Sequence, residues 1–196
     1  MSWIPSTEIE SARGTREVSL RTHHLTKRRI FLDGPITAET AQQFMEQLLY
    51  LEERQEPVTL VINSPGGEVG AGLLMYDLMQ SFRPELHVFC AGTAASMAAI
   101  LLAGGPKGHR YILPHSKVMI HEPMIREGMS GSASSIQTLS ESILEIRDIT
   151  NGILAKHTGK SLESINKATS YDHFMNAVQA VNFGICDSIT DAIVSF

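Results

Sequence analysis

The chain is poor in cysteine, in aromatic residues and in long apolar runs. It has 2 cysteines among 196 residues, and aromatic side chains make up 6% of it. Two cysteines cannot build a disulfide framework, and they supply too few thiolates for a cysteine-based metal site. The longest apolar run, residues 97–103, is far too short to cross a bilayer. We therefore expect two buried thiols in a reducing cytoplasm, and no metal centre.

Basic blocks are also lacking, and we expect no secretory leader. The 16 Lys and Arg residues are outnumbered by 21 Asp and Glu, which gives a formal net charge of −5. A negatively charged chain without a basic patch is a poor ligand for nucleic acid. Residues 1–5 lack the charged start and the apolar core of a signal peptide. We expect neither a nucleic-acid partner nor a membrane partner, and a cytoplasmic protein.

The hydrophobic pattern alternates between short strand-like runs and longer helical periods. Strands are predicted at residues 29–32, 58–62, 86–91, 110–113 and 117–120. Helices are predicted at residues 37–53, from the segment after 67 to about 82, from Ser96 to about 103, and from about 135 to 156. Residues 1–27 are polar and are expected to form an irregular, mobile arm. This order indicates βαβ units and a parallel sheet covered by helices.

The last predicted helix is long for a domain of this size. It follows a glycine-rich polar stretch at 126–135, and its apolar residues recur at three- and four-residue steps or their multiples. Such a helix either projects and binds a partner or packs in the core. Helix lengths vary so widely that the pattern leaves both alternatives open.

Ser96 stands where an apolar, strand-like run changes into an alanine-rich, helix-like run. Backbone N–H groups are unpaired at a helix start and the helix dipole is positive there, and both favour an oxyanion beside the serine hydroxyl. Ala94 and Ala98 flank it where the nucleophile elbow of hydrolases carries glycines. The position also suits a serine that only caps the helix. The segment by itself leaves both interpretations open.

The segment 63–67, Asn-Ser-Pro-Gly-Gly, follows a predicted buried strand. Paired glycines let a backbone approach a ligand and turn N–H groups into a cleft. The segment lacks the lysine and the spacing of a phosphate-binding loop, and an ordinary strand–helix turn has a similar composition. This turn and the Ser96 turn both lie at the carboxyl ends of predicted parallel strands, where ligands bind in open α/β sheets. We therefore expect the functional site at this edge.

A serine nucleophile needs a base, and His121 is the best placed of the 8 histidines. It ends the predicted strand 117–120, on the face of Met119. Other histidines lie in polar surroundings or at a strand start: His23, His24, His87, His109, His115 and His157. The carboxylate that orients the imidazole would be Asp172 or Asp187, and the pattern does not choose between them.

Four motifs, in this order and spacing, resemble the Clp (caseinolytic) serine peptidase family, proteolytic subunit. They lie at 62–67 (Ile-Asn-Ser-Pro-Gly-Gly), 92–98 (Gly-Thr-Ala-Ala-Ser-Met-Ala), 118–123 (Val-Met-Ile-His-Glu-Pro) and 172–174 (Asp-His-Phe). The resemblance implies a crotonase-like α/β fold of βαβ units in a single domain, 1–196, with an N-terminal arm and a projecting handle over about 122–157.

The resemblance also assigns the site and the assembly. It implies Ser96 as nucleophile, His121 as base and Asp172 as the residue that orients it, with an oxyanion hole from the backbone N–H groups of Gly67 and Met97. It implies heptameric rings stacked as a tetradecamer around a chamber, the handle forming the contact between rings. A hexameric AAA+ unfoldase would use ATP and feed polypeptide substrates, so this subunit itself needs no cofactor or metal.

Assembly and docking positions depart from the family pattern. Ser170 and Tyr171 replace an acidic residue and an arginine that link the two rings in many members, and Val61 replaces an aromatic residue of the unfoldase docking pocket. The predicted function is a serine endopeptidase subunit of a self-compartmentalised, ATP-dependent protease that degrades unfolded polypeptides into short peptides. The alternative is a structural or regulatory subunit with weak activity, working in a mixed ring with a more typical paralogue. A crotonase-type acyl-CoA enzyme is a third interpretation, but its chemistry does not call for this set of Ser, His and Asp.

Overall fold

A computed structural model describes residues 5–11, 14–124 and 131–193. Strands and helices alternate over most of these ranges. The strands are β1 (Ser6–Ser11), β2 (Gly14–Ser19), β3 (Arg29–Asp33), β4 (Val58–Ser64), β5 (Leu86–Ala95), β6 (Arg110–Ile112), β7 (Lys117–Ile120), β8 (His173–Asn176) and β9 (Ser188–Ile189). The helices are α1 (Leu20–Thr26), α2 (Ala38–Glu52), α3 (Val69–Ser81), α4 (Met97–Ala103), α5 (Ala133–Thr158), α6 (Leu162–Thr169) and α7 (Ala177–Phe183).

The main sheet is mostly parallel, as the alternating pattern predicts. Its strands follow the order β3-β4-β5-β6-β9, and β7 pairs with both β5 and β8. Among the described residues of this sheet, only the β7–β8 pair is antiparallel. The predicted α/β class is confirmed, since helices follow the strands and cover the sheet.

Strand β5 is longer than the sequence pattern predicts, because it does not end at Gly92. It pairs with β6 up to Cys90 and then with β7 from Thr93 to Ala95. Gly92 has φ +104, and a Cβ on it would lie 2.5 Å from Oδ1 of Asn63. A glycine is therefore needed where the strand changes partners. The extension carries β5 directly to Ser96.

The prediction of an irregular arm at residues 1–27 is wrong for the part that the structure describes. Strands β1 and β2 form an antiparallel ribbon, with Ile9 opposite Arg16 and Thr7 opposite Val18. Helix α1 follows at once, and the side chain of Ser19 accepts a hydrogen bond from the N–H of Thr22. The N-cap serine was a sequence signal for α1, whereas β1 contains one apolar residue, Ile9, and so lacks the alternating pattern that marks a strand.

The core lies between the sheet and the helices, chiefly α2, α3 and α4, and also includes residues of α5, α6 and α7. Helix α2 begins with a capping box on Thr37, as the sequence predicts, and buries Phe44 and Leu48. Helix α4 is buried on all sides, with Leu101 and Leu102 at 0% exposure. A short helix that is apolar all round fits only in the centre of a domain. It fixes the end of β5 and the start of α4 within rigid packing.

Helix α5 combines the two alternatives that its sequence left open. All residues from 131 to 142 are exposed, whereas Thr150, Asn151 and Leu154 near the other end are buried. The helix therefore projects with its first half and packs in the core with its second. Residues 125–130 of the predicted handle lie outside the described part of the chain. In the described part, no helix is both long and apolar enough to cross a membrane.

Candidate active site

Ser96 occupies a strained turn between β5 and α4. Its backbone has φ 55 and ψ −124, a conformation that a non-glycine residue rarely adopts. Although it occupies the N-cap position, its side chain makes no capping hydrogen bond. Its N–H donates to the carbonyl of Met119 at 2.8 Å, which ties the turn to β7. Ser96 therefore does not cap the helix through its side chain. The sharp turn from strand to helix at this residue resembles that of a nucleophile elbow.

The Ser96 hydroxyl is hydrogen-bonded to His121. The distance from Ser96 Oγ to His121 Nε2 is 2.9 Å, and His121 Nδ1 lies 3.1 Å from Asp172 Oδ1. The His121 side chain is 14% exposed, and that of Asp172 is 56% exposed. With Nδ1–H donating to the carboxylate, Nε2 is free to accept the serine proton.

The sheet brings these three side chains together. Ala95 pairs with Met119 in the parallel β5–β7 ladder, so the residues that follow each strand lie at the same edge. Ile120 pairs with His173 in the antiparallel β7–β8 ladder, so the residue after β7 meets the residue before β8. Asp172 therefore directly precedes β8, on the segment that joins α6 to this strand.

The structure separates the two candidate carboxylates. Asp187 does not approach His121, because it binds the guanidinium of Arg110 through both of its carboxylate oxygens. It also accepts the backbone N–H groups of Gly108 and Arg110 at 2.8 and 3.0 Å. Burial alone would raise the pKa of Asp187, but the hydrogen bonds and the charge of Arg110 hold that pKa below its ordinary value. Asp187 is a structural ion-pair partner, and Asp172 is the residue that contacts the histidine.

The two glycines after β4 lie directly against the serine turn. Gly66 has φ +83, and a Cβ on it would lie 2.8 Å from Cβ of Ser96 and 3.0 Å from the backbone nitrogen of Met97. A Cβ on Gly67 would lie 2.0 Å from the carbonyl oxygen of Ile36. Both positions thus exclude any larger residue. The close approach brings the glycine backbone and the start of α4 together.

The hydrogen bonds between residue 36 and segment 66–68 do not use the N–H of Gly67. The N–H of Ile36 donates to the carbonyl of Gly66, and the N–H of Glu68 donates to the carbonyl of Ile36, both at 2.9 Å. The N–H of Gly66 donates a hydrogen bond to Oγ of Ser64 at 3.1 Å. Met97 is the first residue of α4, so its N–H has no partner within the helix. The Met97 N–H directly follows Ser96, and the Gly67 N–H follows the glycine that approaches the serine turn, so both are candidates for binding an anionic oxygen.

Two contacts at this edge carried no signal in the sequence pattern. The amide nitrogen of Asn63 donates to Asp33 at 3.1 Å, and the amide oxygen of Asn63 accepts the N–H of Thr93 at 3.2 Å. These bonds join the carboxyl ends of β3, β4 and β5. Asn is common in the turns that follow strands, so its presence at position 63 does not predict these contacts. They become evident only when residues of β3 and β5 are placed beside it.

A mostly parallel α/β sheet with a hydrogen-bonded Ser, His and Asp at its carboxyl edge is typical of a serine hydrolase. The family model of Clp protease matches residues 12–192, which is nearly the whole chain. The chain belongs to the Clp protease family, and it is a serine peptidase of the Clp type.

Proposed function

We propose that this chain is a serine endopeptidase subunit in which Ser96 is the nucleophile, His121 the general base and Asp172 the residue that orients the imidazole. The observation that supports this most directly is the pair of contacts made by His121, 2.9 Å to Ser96 Oγ and 3.1 Å to Asp172 Oδ1. The distance from Ser96 Oγ to His121 Nε2 lies within the hydrogen-bonding range that proton transfer needs.

The reaction would proceed through an acyl-enzyme. His121 Nε2 takes the hydroxyl proton as Ser96 Oγ attacks the carbonyl carbon of a peptide bond. The N–H groups of Gly67 and Met97 donate to the oxyanion that forms. His121 then returns the proton to the leaving amine, and water, activated by the same histidine, hydrolyses the ester. Loss of one oxyanion donor typically costs about 10²–10³ in rate, so the glycine backbone would contribute to catalysis together with the side chains.

We further propose that the subunit works in heptameric rings stacked as a tetradecamer, with a hexameric AAA+ unfoldase supplying unfolded polypeptide. Apolar side chains that a single chain leaves exposed support an assembly, because burying them against a second subunit is favourable. On α5 they are Ile136, Leu139, Leu144 and Ile149, exposed by 36 to 46%. A cleft of about 410 Å³ lined by Leu20, Phe31 and Val61 suits an apolar docking segment.

The test is covalent labelling of the assembled protein with a fluorophosphonate, followed by peptide mapping. We expect stoichiometric labelling on Ser96 in the wild type and no labelling of the Ser96→Ala variant. Ser135→Ala is the matched control, because it removes the hydroxyl of an exposed serine on α5, and this variant should be labelled like the wild type. A wild-type particle that assembles but stays unlabelled would exclude an active peptidase.

One observation supports the second candidate, a structural or regulatory subunit of a mixed ring. The hydroxyl of Ser170 donates to the carbonyl of Lys167, and Tyr171 is 84% exposed. Neither side chain can supply the ion pair that links the two rings in many family members. Sedimentation of the homomeric protein together with labelling separates the two candidates. Single rings that stay unlabelled support the regulatory subunit, and a labelled tetradecamer supports the peptidase.

A further inference from the structure

A cluster of two histidines and one glutamate lies at the opposite edge of the sheet from Ser96. Glu85 directly precedes β5, His87 is its second residue, and His109 directly precedes β6. The sequence placed His87 and His109 at unremarkable positions 22 residues apart. The parallel pairing of Val88 with Arg110 sets the two histidines side by side.

The donor atoms of this cluster are spaced as metal ligands are. Nδ1 of His109 lies 3.3 Å from Nδ1 of His87 and 3.6 Å from Oε1 of Glu85. One ligand atom from each of the three residues lies within 4.8 Å of the others. Donors that bind Zn²⁺ tetrahedrally at about 2.1 Å lie about 3.4 Å from one another. Glu85 is 51% exposed, so its side chain can rotate to complete the triangle.

The backbone and a neighbouring ring hold the two imidazoles in place. The N–H of Val88 donates to the carbonyl of His109 at 2.8 Å, which fixes the separation of the two main chains. The ring of Tyr111 stacks on His87 with an interplanar angle of 4°. Nε2 of His87 contacts Glu85 Oε1 at 2.5 Å, and Nδ1 of the same ring faces His109. Rings held in this way lose little freedom when they bind an ion.

We propose that Glu85, His87 and His109 form a binding site for a divalent transition ion of the Zn²⁺ type, with water as the fourth ligand. The ligand set is the two-histidine, one-carboxylate combination that such ions favour. The proton between the two Nδ1 atoms moves to Nε2 of His109, whose side chain is 34% exposed, so solvent receives that N–H. The ion braces the start of β5 against the start of β6. It takes no part in the chemistry at Ser96, which lies at the far end of β5.

Burial supports this arrangement. The side chain of His87 is only 3% exposed, so packing holds this ring in place. The exposed sides of Glu85 and His109 leave a path by which an ion can enter. The site therefore has a rigid buried ligand and two accessible ones.

The test is isothermal titration of Zn²⁺ into the assembled, EDTA-treated full-length protein at pH 7.5, repeated with Co²⁺ and read by visible absorption. We expect one ion per chain and the intense visible absorption of tetrahedral Co²⁺. His109→Asn and Glu85→Gln should each weaken binding by at least 10-fold, the size of effect that ligand loss causes. Both replaced residues are partly exposed, so both variants should keep the wild-type circular dichroism spectrum.

Two controls locate the ion. His115→Asn changes an exposed histidine outside the cluster, and His121→Asn changes the histidine at Ser96. Both should bind one ion per chain with wild-type affinity. The proposal is overturned if wild type takes up no Zn²⁺ at 100 µM or if His109→Asn and Glu85→Gln bind as tightly as wild type. It is equally overturned if His121→Asn alone abolishes binding.

Discussion

Ile120 and His173 face each other across the antiparallel ladder of β7 and β8. Their register places the residue after β7 beside the residue before β8, and so it sets His121 against Asp172. A shift by one residue would turn the side chains to the other face of the sheet. The orientation of the imidazole therefore depends on strand pairing between segments 51 residues apart.

The two aspartates that the local sequence pattern could not tell apart should respond differently to mutation. Asp172→Asn should lower kcat by about 10²–10⁴-fold, because the amide no longer holds the imidazole in its productive tautomer. Because Asp172 is 56% exposed, its replacement should change the free energy of unfolding by less than about 0.5 kcal/mol. Peptidase assays and chemical denaturation measure the two effects.

Asp187→Asn should have the opposite effect: a large loss of stability and little change in kcat. Its partner Arg110 is only 4% exposed, and an unpaired buried guanidinium costs about 3–5 kcal/mol. We expect a large loss of stability, with kcat per folded subunit close to wild type. A stable Asp187→Asn protein would contradict the structural assignment of this ion pair.

Gly66→Ala should abolish labelling of Ser96 by a fluorophosphonate. The new methyl group would lie 2.8 Å from Cβ of Ser96, so the serine or the glycine backbone has to move. Gly159→Ala is the matched control, since Gly159 has a similar φ of +74 but no atom within 4 Å of the added carbon. The control should lose about 1 kcal/mol of stability from backbone strain and keep its labelling. Equal labelling of the two variants would count against the close approach.

Stability should fall as the pH is lowered below about 6.5. His157 accepts or donates a hydrogen bond with the hydroxyl of Tyr76 at 2.8 Å, and burial, with the charges of Lys156 and Arg110, lowers its pKa. The unfolded chain therefore binds a proton at a higher pH than the folded chain does. The stabilisation is complete above the unfolded pKa and is lost as the pH falls through the folded one.

Denaturation at a fixed protein concentration between pH 7.5 and 5.5 measures this effect. His157→Gln should flatten the slope by up to about 1.4 kcal/mol per pH unit. Because burial also lowers the pKa of His87, part of the slope should remain. Replacement of the exposed His115 by Gln should leave the slope as in wild type, and a similar flattening there would rule out His157 as the cause.

The two cysteines should not react with thiol reagents in the folded protein. Both are buried and free, as the sequence predicts. Burial raises the pKa of Cys90 to about 12 and raises that of Cys186 as well, so almost no thiolate forms at neutral pH. Titration with a chromogenic disulfide at pH 8 should detect neither thiol before denaturation and both afterwards. Rapid release of colour from the native protein would contradict this.

Much of the fold could be predicted from local pattern. The strand Lys117–Ile120 has its predicted bounds, and α2 begins at the predicted cap Thr37. Such signals are local, because alternation, helical periodicity and capping each involve a few neighbouring residues. The extension of β5 to Ala95 and the strand β8 were missed, because both form only when a partner strand lies alongside.

The sequence by itself determined the chemistry that is available: a serine at a strand–helix junction, a glycine pair after a strand, and a histidine that ends a strand. The family resemblance implied that Ser96, His121 and Asp172 act together, and the tertiary structure showed which groups are in contact. It assigned Asp172 to His121 and Asp187 to Arg110, and it joined His87 to His109 at the other edge of the sheet. The physical reason is that contacts between distant segments are set by strand register and packing, which no local run of residues encodes.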